Sequence, residues 1–127
     1  MSTPTAGYGL LLCDDLIFTS RIAGTAKSLG ATLITAGSVD ALEKQARERS
    51  PDGIILDLAL AGSQIAELIS SLKESCDPMP RVVAYGSHVD AATLRAAREA
   101  GCDVVLPRSK FVEELPLKLC EWLSPRS

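Results

Sequence analysis

The chain predicts a doubly wound α/β fold, a five-stranded parallel sheet flanked by five helices. Short apolar runs alternate with longer amphipathic ones five times along the 127 residues, which is the rhythm of strand–helix units. The apolar runs are continuous rather than alternating, as strands covered on both faces must be. The content is 46% hydrophobic with one Trp, two Tyr and two Phe, enough for one largely aliphatic core.

The strands fall at YGLLLC (Tyr8–Cys13), ATLITA (Ala31–Ala36), GIILD (Gly53–Asp57), RVVAY (Arg81–Tyr85) and DVVL (Asp103–Leu106). The first helix runs from Leu16 to Leu29 and is closed by Gly30. The second opens behind Ser38, whose hydroxyl can accept a first-turn amide hydrogen, and stops near Arg49 ahead of Ser50 and Pro51. The third covers Ser63 to Ser75, and DPMP forbids its continuation because proline lacks the amide hydrogen. The fourth spans Ala91 to Ala100, with Asp90 as N-cap and Gly101 as stop. The last spans Val112 to Leu123 and contains Pro116, which a first turn tolerates and an interior does not. The domain is thus residues 8–123, with flexible ends at 1–7 and 124–127.

A net charge of −3 with scattered Lys and Arg gives no electrostatic footprint for nucleic acid or an anionic membrane. No apolar stretch approaches the length of a membrane span, and MSTPTAGYG carries no positive charge ahead of its apolar run, so a soluble cytoplasmic protein is expected. Cys13, Cys76, Cys102 and Cys120 form no CxxC pair and read as small buried hydrophobes. Cys13, beside two acids at a strand end, is also a candidate low-pKa thiol. No GxGxxG or phosphate loop follows a strand; the GYG at Gly7–Gly9 precedes one.

A doubly wound sheet binds at the carboxyl ends of its strands. Those ends read Cys13, Asp14 and Asp15 after the first strand, Asp57 after the third, Gly86, Ser87 and His88 after the fourth, and Pro107, Arg108 and Ser109 after the fifth. The acidic pair, the lone Asp in PDGIILDLAL, the small polar tip and AGCDVVLPRSKFVEEL together resemble the receiver domain of bacterial response regulators, from Tyr8 to Leu123. The resemblance implies a flavodoxin-like, receiver-type sheet and a place in a two-component phosphorelay. It implies a phosphoacceptor at Asp57, magnesium on the acidic pair, and a Thr or Ser and a Lys around the phosphoryl group.

Position by position, Asp57 matches the phosphoacceptor, and a carboxylate can attack a phosphoryl donor when a metal neutralises the building charge. Aligning the strand puts Asp14 and Asp15 on the two acids; aligning the helix puts Cys13 and Asp14 there, and a thiol is a poor magnesium ligand. The metal candidates are Asp14, Asp15 and Asp57, with capping of the first helix as the competing role of Asp15. Gly86 stands where the family carries its hydroxyl, and Ser87 replaces it only if the strand has already ended. Arg108 stands in place of the Lys and Ser109 in place of the following Pro. The planar guanidinium suits a carboxylate, so Arg108 either pairs with Asp57 and occupies the phosphate pocket of Gly86, Ser87 and Arg108, or points to solvent. Lys110 is a weaker substitute for the Lys, and Val105 stands where the family has an aromatic residue. His88 is either a pH-sensitive rim group or an ordinary loop residue.

The expectation is an atypical stand-alone receiver-like signal-transduction protein, not an enzyme, acting through protein–protein contacts as a monomer or weak homodimer. Its partner is a signalling protein, with a histidine kinase as one candidate. The docking face combines the fourth helix, fifth strand and last helix, with Arg95, Arg98, Glu99, Lys118 and Trp122 as candidates, although Trp122 and Phe111 are more often core-packing residues than contact anchors. The alternatives are a competent phosphoreceiver accepting a phosphoryl group on Asp57 from a histidine kinase, and a small-ligand-binding flavodoxin-like module. A haloacid-dehalogenase-type phosphatase is excluded, because Ala59 occupies the position of its second Asp.

Overall fold

Strands with no solvent-tolerant face must be covered on both sides, and the chain does this for the three central strands of one sheet, leaving Thr32, Ile34 and Thr35 of an edge strand exposed. In the computed structural model, which describes residues 7–125, β1 (Tyr8–Leu12), β2 (Thr32–Ala36), β3 (Gly53–Asp57), β4 (Arg81–Gly86) and β5 (Val104–Pro107) run parallel in the order β2-β1-β3-β4-β5. The helices are α1 (Leu16–Ser28), α2 (Val39–Glu48), a single turn α3 (Leu58–Ala61), α4 (Ile65–Ser75), α5 (Ala91–Ala100) and α6 (Arg108–Trp122). This is the expected doubly wound sheet with five long helices. The winding reverses between β1 and β3, which opens a crevice over their carboxyl ends. No described helix is long and apolar enough to cross a membrane. The expected loose ends lie, at residues 1–6 and 126–127, outside the described residues.

The two-residue period of a strand divides the interior into two cores. Leu10, Leu12, Ile54, Leu56, Val82 and Ala84 pack against Leu42, Leu68, Ile69, Leu72 and Leu94. Leu11, Ile55, Val83 and Tyr85 face the other way, against Phe18, Ile22, Phe111, Leu115 and Trp122. Caps act where the sequence placed them. Ser38 accepts the Ala41 amide at 3.1 Å and Asp90 that of Thr93 at 3.1 Å, while Gly101 closes α5 at φ 106°. At the opposite end of the sheet, Asp52 and Asp103 accept the Tyr8 and Val82 amides at 2.9 and 2.7 Å, completing strand starts that would lack partners.

Two boundaries differ from expectation. The region between β3 and α4 holds the α3 turn, capped by Asp57 itself, and then Gly62 at φ 54°, a left-handed value that suits glycine and breaks the helix. The last helix begins at Arg108, four residues before the expected start, because Pro107 (φ −59°, ψ 149°) turns the chain from β5 straight into it. Pro116 therefore lies in the interior of α6 on an exposed face, where the Val112 carbonyl loses its intrahelical partner.

The end of α6 lies directly on the starts of β1 and β3. A Cβ on Gly53 would collide with the Trp122 carbonyl oxygen and press on Leu123, and one on Gly9 would strike the Leu123 side chain. Gly53→Ala is expected to lower the stability by about 1–3 kcal/mol, the usual cost of overpacking, in urea unfolding with an unchanged slope. Gly24→Ala, exposed within α1 with open space around it, should instead raise it by about 0.5–1 kcal/mol.

Candidate functional site

The carboxyl ends of β1, β3 and β4 and the start of α6 meet at one cleft. Asp57 ends β3 opposite Tyr85 of β4, and Gly86 pairs with Pro107, which delivers Arg108 to the same rim. The Asp57 side chain is 9% exposed. One oxygen, Oδ1, accepts the Ala59 amide at 2.9 Å; the other, Oδ2, lies 4.0 Å from the buried Cys13 Sγ. Burial pushes this carboxyl above its ordinary value, against the opposing pull of the Ala59 amide and the Arg108 charge, and Asp14 pushes it further up.

Asp15 does the opposite. It is the N-cap of α1, accepting the Phe18 amide at 3.0 Å, and its other oxygen pairs with Arg108 Nη2 at 3.3 Å. The Phe18 amide first, and the guanidinium after it, hold this carboxyl below its ordinary value. Arg108 also lies flat over the Phe18 ring, 4.0 Å from its centroid. The Arg108–Asp57 salt bridge is therefore not formed. Because α6 starts at Arg108, the side chain reaches across to α1, where a capping carboxylate and an aromatic face are already in place.

Beneath the arginine runs a column of rings. Phe18 meets Tyr85 edge-on at 5.2 Å, Tyr85 stacks on Phe111 at 4.5 Å, and Phe111 stacks on Trp122 at 5.6 Å. The Tyr85 hydroxyl is buried and interacts with the Cys13 thiol and the Asp57 carboxyl. Burial first, then the thiol and the Asp57 charge, raise this phenol above its ordinary pKa. The cleft above the column encloses about 590 Å³ and brings Asp57, Gly86, Ser87, His88 and Arg108 together with Phe18 and Arg21.

No protein-family model and no curated protein matches the chain. Its similarity to solved structures is extensive. The receiver domain of NtrX from Brucella abortus is 22% identical, with a TM-score of 0.75 over 91% of this chain and 97% of that one. NtrX in complex with ADP is 23% identical at a TM-score of 0.77, and the match spans 93% of this chain but only 26% of that longer one. The receiver domain of the sensor histidine kinase PA1611 from Pseudomonas aeruginosa, which has magnesium coordinated in its active-site cleft, is 18% identical at a TM-score of 0.76, over 93% and 98%. The chain has the receiver fold.

Within the receiver fold, the sequence-derived site is only partly assembled. Asp57 occupies the cleft as expected. Asp14 is exposed, though its charge reaches Asp57; Asp15 is committed to its cap and to Arg108, and the Cys13 thiol lies 4.0 Å from Asp57. Among the described residues no three of His, Cys, Asp and Glu gather as a metal-binding group, so the Asp14, Asp15 and Asp57 set is not brought together. A soft sulfur and one buried carboxylate do not fit a hard, octahedral magnesium ion. Gly86 ends β4 facing the opposite core, where an added Cβ would lie 3.3 Å from Leu58 and 3.5 Å from Leu94. Ser87 follows the strand end, as a substitute hydroxyl requires, but its Oγ accepts the Val89 amide at 3.3 Å. Lys110 sits 3.9 Å from both Glu113 and Glu114 and does not line the cleft.

Sequence reasoning missed Phe18, Arg21 and Tyr85. Tyr85 was legible in principle, since it shares the parity of Val83 on β4; Phe18 and Arg21 needed the packing of α1 on α6. The raised Asp57 carboxyl has a thermodynamic consequence. A group whose folded pKa is raised favours folding below its ordinary value of 3.8, and that contribution is lost as pH rises through the folded value. Asp57→Asn keeps the acceptor for Ala59 and removes the buried charge. Its melting temperature should exceed the parent's at pH 7, with the gap closing below the ordinary carboxylate pKa, in thermal melts followed by circular dichroism.

Proposed function

We propose that the chain is an atypical receiver-like signal-transduction protein, acting in the cytoplasm through protein–protein contacts rather than through magnesium-dependent phosphorylation of Asp57. The observation that carries this reading is the commitment of Arg108. The one cation at the usual lysine position is engaged with Asp15 and Phe18, while a buried thiol lies 4.0 Å from Asp57 and Asp14 is exposed. A phosphoryl group on Asp57 would have to draw the arginine away from both partners. It would also lack a hydroxyl at Gly86. In this reading the protein is a signalling module and not an enzyme, and its partner is a signalling protein such as a histidine kinase.

The docking face is α5, β5 and α6. Arg95, Arg98 and Glu99 are exposed on α5, and Lys118 stands on α6 at 4.0 Å from Glu121. Trp122, a candidate for this face but read from the sequence more readily as a core residue, is 2% exposed and stacks on Phe111 in the core. That removes the one aromatic anchor from the face and leaves a charged surface suited to a weak, salt-sensitive contact.

A competent phosphoreceiver is the second reading, favoured by the opening of the cleft onto Asp57 with Ser87 and Arg108 at its rim. Amide NMR spectra recorded with magnesium and then beryllofluoride, which mimics an aspartyl phosphate, separate the two. The docking reading expects no saturable shifts around Asp14, Asp57 and Gly86 at millimolar ligand. Shifts there that vanish in Asp57→Asn would sink it and establish the phosphoreceiver, and their spread into α5 and α6 would trace its output face.

A further inference from the structure

We propose that the free edge of β2 pairs antiparallel with β2 of a second copy of this chain, about a two-fold axis through Ile34, so that two five-stranded sheets join into one. The first support is that this edge carries none of the usual guards. Exposed edges are normally blunted by charge, proline or a bulge, because their unpaired amides and carbonyls invite another strand. From Ser28 to Val39 the chain holds no charged residue and no proline, and Thr32, Ile34 and Thr35 are exposed, β-branched residues that suit extended backbone. The other edge of the sheet is guarded: β5 follows Asp103 and ends at Pro107.

The phase of the ladder fixes the register. The Cys13 amide donates to the Ala36 carbonyl at 3.1 Å, so the backbone groups of Ala36, and by the strand period those of Ile34 and Thr32, point inward to β1. Those of Leu33 and Thr35 point outward and have no partner among the described residues. Opposed residues of two antiparallel copies must share a face of the sheet, so the axis passes through a residue. With the axis at Ile34, Leu33 of each copy opposes Thr35 of the other and exchanges both bonds with it, which satisfies every outward group of the two residues. Moved to Leu33 or Thr35, the axis would set one of them against Ala31 or Gly37, outside the strand. Ile34 then meets its own copy at the closer, non-hydrogen-bonded spacing, where its side chain, 40% exposed, is covered.

Shape and charge admit a second copy. α1 covers β2 on one face and turns Phe18 and Arg21 to the cleft it shares with α6. At about 100° per residue, Leu16, Ala23 and Lys27 fall on the opposite flank, beside the open edge, and Leu16 is 83% exposed. The two-fold lays the two α1 helices antiparallel there. The small Ala23 permits a close approach, and Lys27 of each copy comes alongside the start of α1 in the other, where Asp14 and Leu16 are exposed. Acid thus meets base and apolar surface is covered about one axis, as a self-complementary interface requires. β2 is the edge remote from β5, so this inference does not rest on the docking reading.

The test is sedimentation velocity of the full chain over a dilution series reaching millimolar protein, joined to cysteine crosslinking. A dimer that dissociates on dilution is expected. Thr35→Pro removes an outward amide and no bond of the native ladder; the axis doubles the loss, so association should weaken by about tenfold or more. Ile34→Lys sets like charges face to face and should weaken it as well. Both sites are exposed, so the variants should keep the parent's circular dichroism. In a Cys120→Ser background, which removes the exposed native thiol, Ile34→Cys should crosslink to itself on mild oxidation, because about 4.5 Å between opposed Cα atoms lies within disulfide range. Thr32→Cys, whose opposite residue is Ala36, should not. The proposal is overturned by a monomer at millimolar protein, by a dimer that either variant leaves intact, by assemblies that grow beyond the dimer, or by Thr32→Cys crosslinking as readily as Ile34→Cys.

Discussion

The stacking of Phe111 between Tyr85 and Trp122 is the contact on which the rest of this molecule depends. It joins α6 to the sheet through Tyr85 of β4, while the Phe111–Trp122 stack lies within α6 itself. At the upper end it presses Tyr85 against Phe18 and so sets the spacing of α1 and α6. At the lower end it lays Trp122 and Leu123 on the backbones of β1 and β3, where only residues without a Cβ fit. Four of the chain's few aromatic rings are spent on this one column, in a core otherwise built of Leu, Ile and Val. Rings of this size contribute heavily to core energetics, and stacked pairs add about 0.5–1.5 kcal/mol each beyond the area they bury.

The column also decides the electrostatics above it. With α6 held in place, Arg108 emerges at the helix start, where a positive charge meets the positive end of the dipole and gains nothing from it. Its compensation comes from across the cleft, in a carboxylate and a ring face on α1. Both ionic partners are about half exposed, so the pair is screened and weak as an energy term. It is specific nonetheless, because Asp15 is already immobilised by its cap and the guanidinium by the Phe18 ring. Asp57 is left buried, with a distant cation and a thiol for company, which is why its charged form is disfavoured.

Much of this architecture was legible along the chain because the signals are local. Continuous apolar runs located five strands to within a residue at either end, and Ser38, Asp90 and Gly101 act as the caps and stop that their chemistry dictates. The site was less legible because its decisive contacts join residues far apart. Asp15 could be read as a metal ligand or a cap, and Arg108 as a partner of Asp57, until the early start of α6 showed which carboxylate lies within reach. The misplaced helix start and the unformed salt bridge have one cause. A fifth strand that passes into helix at a proline, with no intervening loop, leaves no turn signal for a reader to find.

The strand period has a last consequence for any switch. Residues 85 and 86 point to opposite faces, so the group that shares the Asp57 face is a tyrosine, while Gly86 is tucked against Leu58 and Leu94. A short hydroxyl could move toward a new charge at little cost; the Tyr85 ring, edge-on to Phe18 and flat on Phe111, can move only by breaking the column. Val105, where the receiver resemblance places an aromatic residue, lies partly buried against the other core. Ligands shift a conformational equilibrium only through a difference in affinity between two accessible states. On the docking reading proposed above, the element that would supply the second state is built into the packing that holds the first.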